Sequence, residues 1–379
     1  MKTWSRAAVM AAAAVMMCSS AFAVKVGGCF EYTGGVAMYG QHISKGFELA
    51  TKEQNEKGGV WGEQIEVVKA DTKSEPGESA NAMTKLLFQE KIVAAVGPAT
   101  TGCVLAAAPL TMAAKVPHIA PCATGEKVTL QKNGQVNPYM FRACLIDPFQ
   151  GDVMAKFAIE NKKTRNCAIY MDKSSDYAKG LAANFEKTLV AMGGKVVATE
   201  GYLSKDVDFK AALTRLKAQN PEAIYVPGYY EEVSKIIKQA RELGITIPMY
   251  GCDGWDSPVL MDIAGPEALN NCFYVAAFIA DDPDPSIRKF MDAYKAYSGD
   301  VANMFVQQGY NAGKVLYAAM EKAGKGATGT QIAEAMAATK DLPIAGGTLT
   351  YDERHNPIMP GLIVEFVSGT PKLAGKISM

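Results

Sequence analysis

Apolar and polar positions along the chain fall into two alternating rhythms. Short, largely apolar runs occur at residues 24–30, 92–97 and 118–120, with a more polar strand expected at 64–69, each bounded at one or both ends by Gly, Pro or charged residues. Between them lie segments with apolar residues at helical spacing, such as Ile43, Phe47 and Ala50 in 40–55, which Gly58-Gly59 terminates. Further helices are expected at 80–89 and 103–114. Continuous apolar runs suit strands covered on both faces, so a βαβαβαβ series of this kind implies a parallel sheet with helices on either side.

The rhythm then restarts. Helices are expected at 150–161, 177–192, 209–219 and 231–243, and strands at 166–172, 195–201, 223–226 and 248–251. The last third differs, with helices at 285–297, 303–323 and 329–339 and a closing strand pair within 348–367. Two doubly wound halves therefore stand in tandem, followed by helices that need an apolar sheet face to cover. The first half's sheet is the natural candidate, and reaching it makes the chain cross between halves more than once. Ligands of such folds sit beyond the carboxyl ends of the strands, so two facing halves make a cleft.

Residues 1–23 read as an export leader: Lys2 and Arg6, an uncharged apolar stretch from Ala7 to Met17, and the small-residue site Ala21-Phe22-Ala23. Met17 stands before Cys18 where a lipidation signal needs a small residue, so cleavage after Ala23 is preferred. Loss of Lys2 and Arg6 gives the mature chain a net charge of −2, which removes the electrostatic case for a nucleic-acid partner. The uncharged stretch 92–114 is long enough to span a bilayer. It is broken by Gly97-Pro98, Gly102 and Pro109, however, and reads as core. Seven cysteines remain after cleavage (Cys29, Cys103, Cys122, Cys144, Cys167, Cys252 and Cys272), an odd number with no C-x-x-C pair. With only three histidines (His42, His118 and His355), little supports a metal site or a histidine triad. We expect no metal, no cofactor and no enzyme activity.

The chemistry concentrates at strand ends. Pro98-Ala-Thr-Thr101-Gly102 opens a helix after one strand, and Pro121-Cys122-Ala123-Thr124 follows the next. Amides at a helix N-terminus together with hydroxyls suit a carboxylate. In the second half, Asp172-Lys-Ser-Ser-Asp-Tyr177, Gly228-Tyr229-Tyr230 and Gly251-Cys-Asp253-Gly-Trp255 follow three strands. An acid beside aromatic rings holds a desolvated ammonium by ion pairing and cation–π contact. Carboxylate donors on one side and an acid with aromatics on the other describe a clamp for an amino-acid zwitterion. The G-x-G-x-x-G string at Gly324, Gly326 and Gly329 lies between helices rather than after a strand, and so lacks the setting of a nucleotide site.

These residues, with TGGVAMYG (33–40), NEKGGVWGEQIEVVKAD (55–71), VGPATTG (96–102), IAPCAT (119–124), DYAKGLA (176–182), DFKAALTRLKAQNPEAIYVPGYYEE (208–232) and GCDGW (251–255), resemble the periplasmic solute-binding proteins of branched-chain amino-acid ABC transporters. The resemblance implies an α/β, type I periplasmic-binding fold: two doubly wound parallel-sheet domains joined by a multi-strand hinge. On it, the lobes are 24–144 plus 276–349 and 145–275 plus 350–379. It also implies a monomeric periplasmic receptor that closes on a small, aliphatic amino acid and docks on a membrane permease. Thr101 then matches the hydroxyl for the α-carboxylate, Cys122 and Thr124 the next ligand-contacting pair, and Asp253 the acid for the α-ammonium. Tyr39, Tyr177, Tyr229 and Phe305 match the side-chain pocket, with Trp255 beside it. Three features depart from the family: Asp253 where Glu is common, Ser74 and Thr100 where some members carry a disulfide, and a residue as large as Trp255. They leave an alternative, a receptor of the same fold for an aromatic acid, an amide or a urea-like solute.

Overall fold

A computed structural model describes residues 23–377; the expected leader lies outside the described residues apart from Ala23. The first unit is a five-stranded parallel sheet in the order β2-β1-β3-β4-β5. It is built from β1 (Val24–Phe30), α1 (Ala37–Glu56), β2 (Ile65–Asp71), α2 (Pro76–Phe88), β3 (Ala94–Val96), α3 (Thr101–Ala114), β4 (His118–Ala120) and β5 (Met140–Arg142). Every residue of β3, β4 and β5 is buried, as strands covered on both faces require. The apolar stretch 92–114 forms β3 and α3, and no described helix is long and apolar enough to cross a membrane.

The second unit comprises α4 (Asp147–Glu160), β6 (Asn166–Asp172), α5 (Asp176–Ala191), β7 (Lys195–Tyr202), α6 (Lys210–Ala218), β8 (Ala223–Tyr225), α7 (Tyr230–Glu242), β9 (Met249–Gly251), α8 (Pro258–Ala264) and β10 (Cys272–Ala276). Helix α7 shows the patterning plainly: Val233, Ile236, Ile237 and Ala240 form one buried stripe. The seven-stranded sheet runs β14-β13-β10-β9-β8-β6-β7. Strands β13 (Gly361–Val367) and β14 (Thr370–Ile377) join it antiparallel, so this sheet is mixed rather than wholly parallel. The closing strand pair expected within 348–367 is corrected accordingly. Ser368-Gly369, both at positive φ, turn β13 back onto β14 as hairpin turns demand. The short β12 (Gly347–Leu349) pairs instead with β11 (Leu342–Ile344).

Between β10 and β11 the chain returns to the first unit through α9 (Pro285–Ser298), α10 (Met304–Ala323) and α11 (Gly329–Ala337). Helix α10 lies along α1 and over β3 and β4. Its backbone approaches that of α1 through glycines: a Cβ on Gly46 would overlap the carbonyl of Val306, and one on Gly309 the carbonyl of Ile43. All seven described cysteines are buried free thiols, the reading expected of small core residues.

Gly309→Ala is expected to destabilise the fold by about 1–3 kcal/mol, because overpacking at the α1–α10 crossing outweighs a helix-propensity gain of about 1 kcal/mol. The urea unfolding midpoint measures it, and Gly77→Ala, at a position with open space around it, serves as the control.

Candidate functional site

The loop from β3 into α3 is held from below by Glu31, the residue after β1. Its fully buried carboxylate accepts hydrogen bonds from the amides of Ala99 (2.9 Å) and Thr100 (3.1 Å) and from the Thr100 hydroxyl (3.1 Å). Burial pushes the Glu31 carboxyl above its ordinary range, and these hydrogen bonds oppose that. Two amides that the sequence offers to a ligand are therefore already occupied. What the first helical turn retains is Thr101. Its Oγ1 accepts the Gly125 amide at 3.1 Å, which leaves the hydroxyl proton free to donate. Cys122, in the loop after β4, donates its thiol to the Ala99 carbonyl at 3.2 Å and so ties the two loops together.

From the second unit, Asp253 occupies a short 3-10 turn after β9 and is buried. The Tyr177 hydroxyl donates to its Oδ1 at 2.5 Å, while the Asp253 amide donates to Gln150 Oε1 at 3.0 Å. Tyr177 stacks on Tyr229 with ring centroids 5.0 Å apart and planes nearly parallel. No lysine or arginine among the described residues reaches Asp253 within ion-pair distance. Burial pushes its carboxyl up to about 6, against hydrogen bonds from Tyr177 and Gln150.

Tyr39 on α1 spans the gap. Its hydroxyl donates to the Gly254 carbonyl at 2.6 Å and accepts the Tyr230 amide at 3.2 Å, and its ring stacks on Phe305 of α10 at 4.2 Å. Lys205 and Glu75 form a second cross-cleft contact at 2.8 Å, at the exposed rim. Tyr39, Thr101, Cys122, Tyr177, Tyr229, Asp253 and Phe305 line one cavity, together with Ala99, Thr100 and Gly254. The space they leave is about 10 Å³, roughly what one water molecule needs. The cleft is shut.

Two of the nine expected site residues stand outside that cavity. Trp255 is fully buried behind the acid turn, where its indole donates to the Val226 carbonyl at 3.0 Å and its ring lies against Gly251, which has no side chain to obstruct it. It supports the turn and does not line the pocket. Thr124 is buried behind Cys122, its hydroxyl without a partner and its carbonyl accepting the Asp147 amide. Sequence reasoning missed Glu31, Gln150, Asp147 and Arg142. The last three cluster at or just beyond β5, a three-residue strand that follows a polar loop rather than a helix, and Glu31 reads as an ordinary loop acid.

Facing α/β units with buried polar groups at opposed strand ends define a two-lobed solute-binding protein of the type I periplasmic-binding fold. Residues 23–371 match the sequence profile of the periplasmic binding protein family, and the chain belongs to that family. It is 32% identical over 346 residues to a Leu/Ile/Val-binding protein of Rhizobium johnstonii, covering 90% of this chain and 92% of the relative. It also superposes, with a TM-score of 0.87 and 34% identity over 94% of this chain and 99% of the other, on a branched-chain amino acid transporter substrate-binding protein from Streptococcus pneumoniae in complex with isoleucine. A solute-binding protein from R. palustris in complex with benzoate is more distant, with a TM-score of 0.86 and 25% identity over 94% and 96% of the two chains.

Asp147 generates a pH prediction. Neither of its buried carboxylate oxygens has a hydrogen-bond partner, and burial pushes the carboxyl from an ordinary 3.8 up to about 8. The folded state therefore keeps a proton that the unfolded chain has lost between those values, so this group subtracts stability as pH rises through that window. Asp147→Asn is expected to match the wild type in stability near pH 4 and to become progressively the more stable of the two toward pH 8. Urea titrations at intervals across the range measure the difference, and a constant difference contradicts the assignment.

Proposed function

We propose that this protein captures a small aliphatic amino acid between its lobes and delivers it to the membrane permease of an ABC transporter. The observation that carries the reading is Asp253: a buried carboxylate without a counter-cation, facing a cavity whose opposite wall holds the Thr101 hydroxyl at a helix N-terminus. An α-ammonium supplies the missing charge, and the α-carboxylate meets Thr101 and the partial positive charge of α3. Tyr39, Tyr177, Tyr229 and Phe305 then wall an apolar side chain, while Cys122 and Thr124 shape the loop beside the ammonium. The names of the relatives support this class of solute.

A cavity of about 10 Å³ cannot admit an amino acid. Entry requires the lobes to part and the Tyr39–Gly254 bond to break, and the solute then takes up part of the contact that the tyrosine provides. Closure over the solute presents both lobes to the permease in one fixed register. On the same reading the lobes are 24–144 plus 276–349 and 145–275 plus 350–379, and the monomer works in the periplasm once its leader is removed after Ala23. An aromatic acid, amide or urea-like solute is the alternative. An acid lacking an amine leaves the Asp253 carboxylate buried without a partner, which is costly.

A thermal-shift screen of the mature protein against the twenty amino acids, benzoate, small amides and urea tests the reading. Leu, Ile or Val is expected to raise the melting temperature by several degrees through ligand-linked stability. A rise with benzoate alone overturns the role of Asp253. Asp253→Asn is expected to weaken amino-acid binding more than tenfold, about 1.4 kcal/mol, and Thr101→Val to weaken every carboxylate solute alike, both measured by calorimetric titration.

A further inference from the structure

Arg142, the last residue of β5, is fully buried, yet among the described residues no carboxylate lies within ion-pair distance of it. Its guanidinium donates instead to the carbonyls of Ala123 at 3.2 Å and Gly125 at 3.0 Å, with the Thr129 hydroxyl at 3.5 Å, and its Nε has no partner. A cation taken out of water without a counter-charge is expensive to keep. Neutral donors could hold two carbonyls. The carboxylates that act on it from nearby, Asp147, Asp352 and Glu126, stand beyond ion-pair distance, and burial pushes the Asp147 carboxyl upward, which weakens its answer to the charge.

The hydrogen bonds lead from the guanidinium to the cleft. Arg142 grips the loop through the carbonyls of Ala123 and Gly125, the amide of the same Gly125 donates to Thr101 Oγ1, and Thr101 lines the cavity, so the guanidinium fixes where that amide stands. With its acceptor side taken, the Thr101 hydroxyl has its proton available for a cleft acceptor. Gly125 also sets the position sterically, because a Cβ there would come within 2.5 Å of Thr101 Cγ2.

We propose that Arg142 is a positioning residue for the solute's carboxylate: acting through Gly125 and Thr101, it orients the hydroxyl donor and supplies the positive charge that the carboxylate balances. The proposal rests on the reading that Thr101 binds a carboxylate. It assigns the carboxylate's counter-charge to a side chain that never touches the solute, whereas the ammonium's counter-charge, Asp253, sits in the pocket wall.

The test compares L-leucine with L-leucinol, which keeps the ammonium and side chain but has a hydroxymethyl group in place of the carboxylate. Calorimetric titrations are run on the wild type, Arg142→Gln, Gly125→Ala and Thr101→Val, with urea midpoints recorded for each. Arg142→Gln is expected to weaken leucine binding at least tenfold while leucinol binding stays the same or tightens. Gly125→Ala leaves the buried charge untouched and has an ordinary backbone angle, φ −54°. It is expected to weaken leucine selectively as well, as a control for displacement of Thr101. Arg142→Lys, which keeps a cation but loses the fork that grips two carbonyls, carries the test if Arg142→Gln does not fold, with a selective loss for leucine expected. Equal losses for the two solutes in the Arg142 variant, or leucine binding unchanged in it while Thr101→Val weakens it, overturn the role of Arg142. Leucine binding unchanged in Thr101→Val overturns the underlying reading of Thr101 and, with it, the route from Arg142.

Discussion

A charge buried without a counter-charge is the constraint around which the cleft is organised. Three buried carboxylates meet it in three ways. Glu31 is satisfied by amides and a hydroxyl, so it serves as a fixed support for the β3–α3 loop. Asp147 has no partner, and its raised pKa marks a group that keeps its proton. Asp253 lies between these cases: the Tyr177 hydroxyl partly satisfies its carboxylate, Gln150 anchors its amide, and it faces the cavity with capacity for a further donor. The same burial that penalises an empty site makes an ammonium more strongly held there than at a surface. Affinity in such a site comes less from adding contacts than from removing a penalty already built into the protein.

The lobes that carry these groups hold their geometry because the chain crosses between them repeatedly. It leaves the first sheet after β5, returns after β10 to place α9, α10 and α11, and leaves again after β12. Helix α10 is central to this path. Its glycine-mediated approach to α1 holds Phe305 beside Tyr39, so a backbone contact within the first unit sets the position of the ring that spans the cleft.

Much of this was legible in the sequence. Long periodic elements announce themselves: the buried stripe of α7 and the apolar run of β1 were read close to their observed limits. Strands β5 and β10 were not expected, although the equally short β4, β8 and β9 were; β5 ends on the charged Arg142 and follows a polar loop rather than a helix, which hides it from the strand–helix rhythm. The closing hairpin was placed early because its defining turn, Ser368-Gly369, was overlooked. At the site, five residues that follow strands, Thr101, Cys122, Tyr177, Tyr229 and Asp253, were identifiable by type and line one cavity, whereas Tyr39 and Phe305, on helices, were expected only from the family resemblance. Trp255 and Thr124 could not be placed that way, because the direction of a side chain within a tight turn depends on what packs behind it. Supporting groups such as Glu31 and Arg142 escape a sequence reading altogether, since their partners are backbone atoms that no residue letter reveals.

The position of Trp255 gives the molecule an internal optical gauge. Its indole is enclosed, hydrogen-bonded to the Val226 carbonyl and two residues from Asp253, so any displacement of the acid turn alters the polarity around an emitting ring. The chain's other described indole, Trp61, donates to the Met320 carbonyl at the end of α10, within the first unit and away from the cleft. One tryptophan therefore sits on the acid turn and the other away from it, so a displacement of that turn would change the emission of Trp255 without any attached label.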